Sequence, residues 1–247
     1  MGDFEAILFD AGGVLVVPTP AVVRPLLAPF GADPDEAALV RAHFVGAHAM
    51  DHAWPAGESD GDSDGARAAW ARYHQAYVAA AAVPRDRQRA ATAAFAEGVD
   101  HWSWCHPVPG ALETLAALSA RGIPIGVVSN AGGQVQAELA RLGMCRTAAA
   151  VGADPRGVMV ACVVDSTVVG VSKPDPAIFA PALAAIGLPA SPRVAYVGDT
   201  VAYDVRGAEA AGLSPVLHDP CGLHAADPHP SGPYRTITRL EDLLTMV

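Results

Sequence analysis

A short apolar run that stops at an acidic or polar residue recurs along this chain, and it constrains the fold more than any other feature. Ala6–Phe9 runs into Asp10, Ile123–Val128 into Ser129 and Asn130, and Val194–Val197 into Gly198 and Asp199. Runs this short, apolar at consecutive rather than alternating positions, predict strands buried on both faces of a parallel sheet. Further strands are expected within Val158–Val164, at Pro215–Leu217 and, as an edge, at Thr236–Ile237. Between them apolar residues recur at helical spacing. Leu112, Leu115 and Leu118 end at Gly122, Val135, Leu139 and Leu142 share a face, Pro176–Ile186 carries Ile178, Phe179, Leu183 and Ile186, and Val205–Ala211 stops at Gly212. Strands alternating with helices predict an α/β protein with a three-layer, Rossmann-like parallel-sheet core.

The stretch from Thr19 to Pro107 has no strand pattern. Glu36–Met50 and Ala66–Ala82 read as helices, with shorter ones at Pro20–Pro29 and Arg85–Glu97. Trp70, Tyr73 and Tyr77 stand at i, i+3 and i+7, the spacing of a packed stripe. The polar segment Ala56–Gly65 reads as a solvated loop. Both crossings, near Pro18 and near Pro107–Gly110, are rich in proline or glycine. The expected organisation is a core of residues 1–18 and 107–247 interrupted by an all-helical cap, 19–106, on two hinges.

Composition narrows the partners. The net charge is −10, and no stretch concentrates lysine or arginine. Nucleic acid and anionic membrane surfaces, which need an electropositive face, are therefore disfavoured. No apolar run approaches the roughly 20 residues of a membrane span, and the start of the chain lacks a basic leader, so a cytoplasmic protein is expected. Cys105, Cys145, Cys162 and Cys221 are widely spaced and form no CxxC pair, which predicts reduced, mostly buried thiols rather than a zinc site or disulfide framework. A monomer or homodimer is the expected state.

Ligands of open parallel sheets bind beyond the carboxyl ends of the strands. Asp10, Ser129 with Asn130, and Asp199 with Asp204 all fall at such ends. Carboxylates from two strands can converge on one hard cation such as magnesium. The sole lysine, Lys173, is placed to bring one positive charge to the same rim.

Four motifs in order carry a family resemblance: Ile7-Leu8-Phe9-Asp10-Ala11-Gly12-Gly13-Val14-Leu15, Val127-Val128-Ser129-Asn130, Ser172-Lys173-Pro174-Asp175-Pro176, and Val197-Gly198-Asp199-Thr200-Val201-Ala202-Tyr203-Asp204. The chain resembles the haloacid dehalogenase superfamily, hydrolases dominated by phosphatases, and the helical insertion resembles that family's cap. The resemblance implies that Asp10 is a nucleophile forming a phospho-aspartate. It implies Mg2+ held by Asp10, the Gly12 carbonyl, Asp199 and Asp204, the last directly or through water. Ser129 and Asn130 would meet the phosphoryl oxygens beside Gly12 and Gly13, and Lys173 would offset the gathered negative charge. The implied substrate is a small phosphorylated metabolite, such as a sugar phosphate, under the cap.

Gly12 departs from the pattern. Many phosphatases of this family carry a second aspartate there, which protonates the leaving group. Glycine can lend a carbonyl but no proton, and proton transfer is worth about 10² to 10⁴ in rate. In the cap, His43 and His48 are candidate replacements, and Arg41 is a candidate clamp for a remote anion. A dehalogenase needs no leaving-group acid, but that branch resembles a serine–asparagine pattern in place of Gly198-Asp199. Phosphonate cleavage through a cap lysine is excluded, because the cap has none. A catalytically weak binding or regulatory protein is the remaining alternative.

Overall fold

The computed structural model describes residues 2–54, 63–150, 156–225 and 234–247. The apolar run before Asp10 forms β1 (Ala6–Phe9), buried at every position. After it come β2 (Val16–Pro18), four helices, α1 (Pro20–Leu27), α2 (Glu36–Ala53), α3 (Asp64–Ala80) and α4 (Gln88–Gly98), and then β3 (Trp104–Pro107). The chain continues through α5 (Ala111–Ala120), β4 (Ile125–Ser129), α6 (Val135–Arg141), β5 (Cys145–Arg146), β6 (Val158–Met159), β7 (Cys162–Asp165) and α7 (Ser166–Val169). It ends with α8 (Ala180–Ile186), β8 (Val194–Gly198), α9 (Arg206–Ala210), β9 (Ser214–His218) and β10 (Arg235–Ile237).

Six strands form one parallel sheet in the order β10-β9-β8-β1-β4-β7. Alternating side chains feed two cores. Ile7 and Phe9 pack with Leu115, Leu118 and Leu139 on one face, and Ala6 and Leu8 with Ile178, Phe179 and Ala208 on the other. That is the three-layer α/β arrangement, with a helical cap inserted after β1 and β2. Register fixes where the chemistry lies: Phe9 aligns with Val127 of β4 and Val197 of β8, so Asp10, Ser129 and Asp199 leave the sheet along one edge.

The strand expected within Val158–Val164 is β7, preceded by the short β6. Val160 donates to Arg146 O and Ala161 to Ile125 O, so the chain crosses from the β5–β6 ribbon to the main sheet edge. One expectation needs correction: the stretch before Pro107 contains a strand, β3, which pairs antiparallel with β2. The two cap linkers are thus zipped to each other: Thr19 N donates to Ser103 O, and Val108 N to Leu15 O. The helix expected over Pro176–Ile186 opens with a 3₁₀ turn, Pro176–Phe179, before α8. The expected loop at Ala56–Gly65 lies outside the described residues except for its end, where Ser63 caps α3. All four cysteines are free, but only Cys145 is fully buried. Among the described residues no helix is long and apolar enough to cross a membrane.

The cap has its own core, in which Tyr73 and Tyr77 are buried and the Tyr77 ring stacks on Phe95 at 4.4 Å. That core extends into the sheet domain through Ala202 and Tyr203. The Trp54 and Tyr203 ring centroids are 4.5 Å apart, and Trp70 Nε1 donates to the Tyr203 hydroxyl at 3.1 Å. Asp51 of α2 ties the two parts more specifically. Its Oδ2 accepts from Val201 N at 2.7 Å and its Oδ1 from Ala202 N at 2.8 Å, the amides that open the helical turn after Asp199. Asp51→Ala leaves those amides without their carboxylate and is expected to cost about 1–3 kcal/mol. Urea unfolding at neutral pH checks this; an unchanged midpoint would remove Asp51 from the docking contact.

Candidate active site

At the carboxyl edge of the sheet, β1, β4 and β8 deliver their terminal polar residues to one point. One carboxylate oxygen from each of Asp10, Asp199 and Asp204 lies within 4.8 Å of the other two, and all three residues are buried. Lys173 enters from the segment before α8 and is itself 1% exposed. Its Nζ lies 2.8 Å from Asp10 Oδ2 and 2.7 Å from Asp204 Oδ1, and donates to the Tyr196 hydroxyl at 2.8 Å. Burial lowers the affinity of this ammonium for its proton, but Asp10 and Asp204 outweigh that and push it up to about 12. Lysine is therefore charged. One cation among three buried carboxylates leaves negative charge uncompensated. Burial first, and then the neighbouring carboxylates, hold Asp10 and Asp199 well above the ordinary carboxylate range.

Hydrogen bonding separates the carboxylates. Asp204 Oδ2 accepts from Thr200 Oγ1 at 2.7 Å, Thr200 N at 2.9 Å and Asp199 N at 3.2 Å. Its Oδ1 faces Lys173 and Tyr196. Both oxygens are thus engaged, and Asp204 does not line the cleft, so its visible work is to hold Lys173 and the Asp199 loop. Asp10 and Asp199 do line the cleft. Asp10 Oδ1 accepts from Ala11 N at 2.7 Å. Carboxylates gathered in this way suit a hard divalent cation, and the raised affinity of Asp10 and Asp199 for protons is what such an ion would relieve.

The remaining expected residues fall into two groups. Ser129, buried at the end of β4, and Gly12 line the cleft with Lys173. Asn130 also lines it, but its amide spans to the Lys173 backbone, accepting from Lys173 N at 2.8 Å and donating to Lys173 O at 3.0 Å. His43 reaches the site from the cap. Its Nε2 is 2.9 Å from Asp199 Oδ2 and its Nδ1 is 2.9 Å from the Tyr73 hydroxyl. Burial lowers this imidazole to about 3, so it is neutral.

Gly13 does not line the cleft. It adopts φ +67°, a Cβ there would stand 2.1 Å from Asp199 Cγ, and its carbonyl is 3.0 Å from His218 Nδ1. Its part is to let the loop pass close behind Asp199. Arg41 is exposed on α2 and lies outside the cleft, and His48 sits beside His52 and His224 instead. Neither is brought to the carboxylates.

The parts played by three residues were not anticipated. Tyr196, inside the apolar run of β8, bridges Lys173 and Asp204 and donates to Val128 O at 2.9 Å. A tyrosine in a run expected to be buried was the available signal, because its hydroxyl must find a partner. Thr200 fixes Asp204. Trp104 occupies the space beside Gly12: a Cβ on that glycine would stand 3.2 Å from the indole. Trp104 belongs to the aromatic residues near the cap's exit hinge, but its contact with Gly12 spans the whole cap insertion and only the fold shows it.

The haloacid dehalogenase-like hydrolase family profile matches residues 4–212. The chain belongs to this family. Solved structures agree on the fold. A haloacid dehalogenase-superfamily hydrolase from Ehrlichia chaffeensis aligns at TM-score 0.54 and 17% identity, covering 98% of this chain and 95% of its own. A phosphatase of the superfamily from Thermococcus onnurineus aligns at 0.50 and 18%, covering 98% and 99%. A dehalogenase captured with an intermediate aligns at 0.55 and 20%, covering 100% and 99%. Comparison with curated proteins returns no match.

His218 supplies a test of this packing. Burial lowers it from 6.5 to about 4, so the folded protein holds it neutral where the unfolded chain would protonate it. The stability this provides is complete above pH 6.5 and is lost as pH falls from 6.5 toward 4. From pH 7 to pH 5 the loss is about 2 kcal/mol. Urea titrations at the two pH values should show His218→Asn lacking that part of the decline. A variant with the wild-type pH dependence would contradict it.

Proposed function

We propose that this hydrolase cleaves a small organic phosphomonoester with magnesium, through an aspartyl-phosphate on Asp10. The observation that carries the reading is the pairing of Asp10 with Asp199 at one buried point, with charge left over after Lys173. Displacement of chloride by a carboxylate gains nothing from a second carboxylate held against the nucleophile. Phosphoryl transfer through a divalent cation uses both.

In this reading Asp10, the Gly12 carbonyl and Asp199 would hold the cation, which would neutralise charge on the phosphoryl oxygens, and Asp204 acts behind them by fixing Lys173 and the Asp199 loop. Asp10 attacks phosphorus as the ester P–O bond breaks and the organic oxygen departs, its other oxygen kept in place by Ala11 N. Lys173 offsets the charge on the transferring group, and the Ser129 hydroxyl donates to one of its oxygens. Asn130 acts through Lys173 by fixing that segment. His43 holds the outer oxygen of Asp199 and is a positioning residue rather than a group that binds substrate. Water then opens the aspartyl-phosphate and restores Asp10. A cap resting on Asp51 and Trp54 fits a substrate small enough to be roofed.

Gly12 gives no proton to the departing oxygen, and both nitrogens of His43 are engaged. The leaving group must then depart largely unaided. An aryl phosphate is expected to be hydrolysed at least about 10²-fold faster than an alkyl phosphate, with release lost in Asp10→Asn and without magnesium. The Trp104 ring crowds the position, so Gly12→Asp should narrow the difference only when combined with Trp104→Ala. Steady-state kinetics decide. Equal rates for both leaving groups in the wild type would mean that a proton donor is present, and metal-independent chloride release from a 2-haloacid would replace the phosphatase reading.

A further inference from the structure

Of the 16 basic side chains in the sequence, one lines the cleft. It is Lys173, and it is already committed to Asp10 and Asp204. Every arginine lies elsewhere among the described residues, and the residues outside that set contain neither lysine nor arginine. The cleft is large, about 830 Å³, and extends well past the carboxylates between the cap and β4. A substrate's organic part therefore meets walls supplied by identifiable side chains.

Those walls are aromatic and acidic. Trp70, His74 and Phe95 form the cap side, and Glu97 and Asp100 stand at the exposed mouth. Among the described residues no lysine or arginine pairs with either acid. Hydrogen bonds from Ser103 hold Asp100 below the ordinary carboxylate range, so it is ionised. Glu138, deeper in, is paired with Arg141 at 2.7 Å, which spends that arginine outside the cleft. Of the imidazoles, His43 is held between Tyr73 and Asp199 and burial lowers both it and His74, while His101 stands at the rim next to Asp100.

From this distribution we infer that the enzyme selects phosphomonoesters whose organic part is uncharged or cationic, and discriminates against those carrying a second anionic group. This rests on the phosphatase reading and specifies its substrate class. A distal carboxylate or phosphate entering the cleft would find no cation to pair with and would face Glu97 and Asp100. Like charges set against each other across a binding surface are an effective means of rejection. An ammonium or hydroxyl group in the same place meets acceptors, and a ring lies against Trp70 and Phe95.

Three aryl phosphates with the same leaving chemistry test it: 4-methylphenyl, 4-(aminomethyl)phenyl and 4-(carboxymethyl)phenyl phosphate, compared by kcat/KM with saturating magnesium and by calorimetric binding to Asp10→Asn. The carboxymethyl ester is expected to fall at least about tenfold below the methyl ester in both measurements, and the aminomethyl ester to match or exceed it. Glu97→Arg should shrink the carboxymethyl penalty several-fold. A carboxymethyl ester that binds and turns over as well as the methyl ester would overturn the inference while leaving the phosphatase intact. Failure of all three esters to release phosphate would overturn the phosphatase reading, and the substrate class with it.

Discussion

One buried ammonium holds the site together. Lys173 comes from the segment before α8, yet its Nζ rests among Asp10 after β1, Asp204 after β8 and the Tyr196 hydroxyl within β8. A charge so enclosed is tolerable only because every direction it faces presents an acceptor. The reverse also holds: without the ammonium, Asp10 and Asp204 would be like charges at close range in a medium that screens them poorly. The sheet brings the carboxylates into register and the lysine lets them stay there. It offsets Asp199 only in part, since burial and Asp204 still hold that carboxyl well above its ordinary range, and the three carboxylates remain grouped as a divalent cation would require.

The cap is coupled to the same point. His43 joins Tyr73 of the cap to Asp199, and Asp51 holds the amides two and three residues beyond Asp199. Trp54 and Trp70 close on Tyr203 in the same turn. A cap contacting Asp199 and the turn after it cannot shift far without altering how that carboxylate is presented. The antiparallel pairing of β2 with β3 adds to this, because the two linkers must move together.

Much of this was legible in the sequence because the controlling features are local. A consecutive apolar run followed by aspartate specifies both a buried parallel strand and what stands at its tip, so Asp10, Ser129, Lys173 and Asp199 could be named before any coordinates. The helical cap was visible in its periodicity. What escaped depends on distance. The saturation of Asp204 involves Thr200, Lys173 and Tyr196, and only the folded chain shows that five groups converge on one carboxylate. Arg41 and His43 are two residues apart on the same helix, yet one points to solvent and the other to Asp199, a rotation that sequence spacing leaves undefined until the docking face of α2 is known. The break at Val160–Ala161 and the strand at Trp104–Pro107 were missed because each is created by a partner strand far along the chain rather than by its own pattern.

The acceptor arrangement of the site follows from ordinary requirements of burial and charge, and the chemistry follows from what those requirements leave unsatisfied. Asp10 and Asp199 both line the cleft, and their burial beside other carboxylates gives each a high affinity for a positive charge. Electron paramagnetic resonance of Mn2+ titrated into the protein at pH 7.5 measures this directly. One tightly held ion per chain is expected, displaced by excess magnesium and lost in Asp199→Asn, whereas tight binding that survives Asp199→Asn and Asp10→Asn would place the cation elsewhere and contradict the shared site.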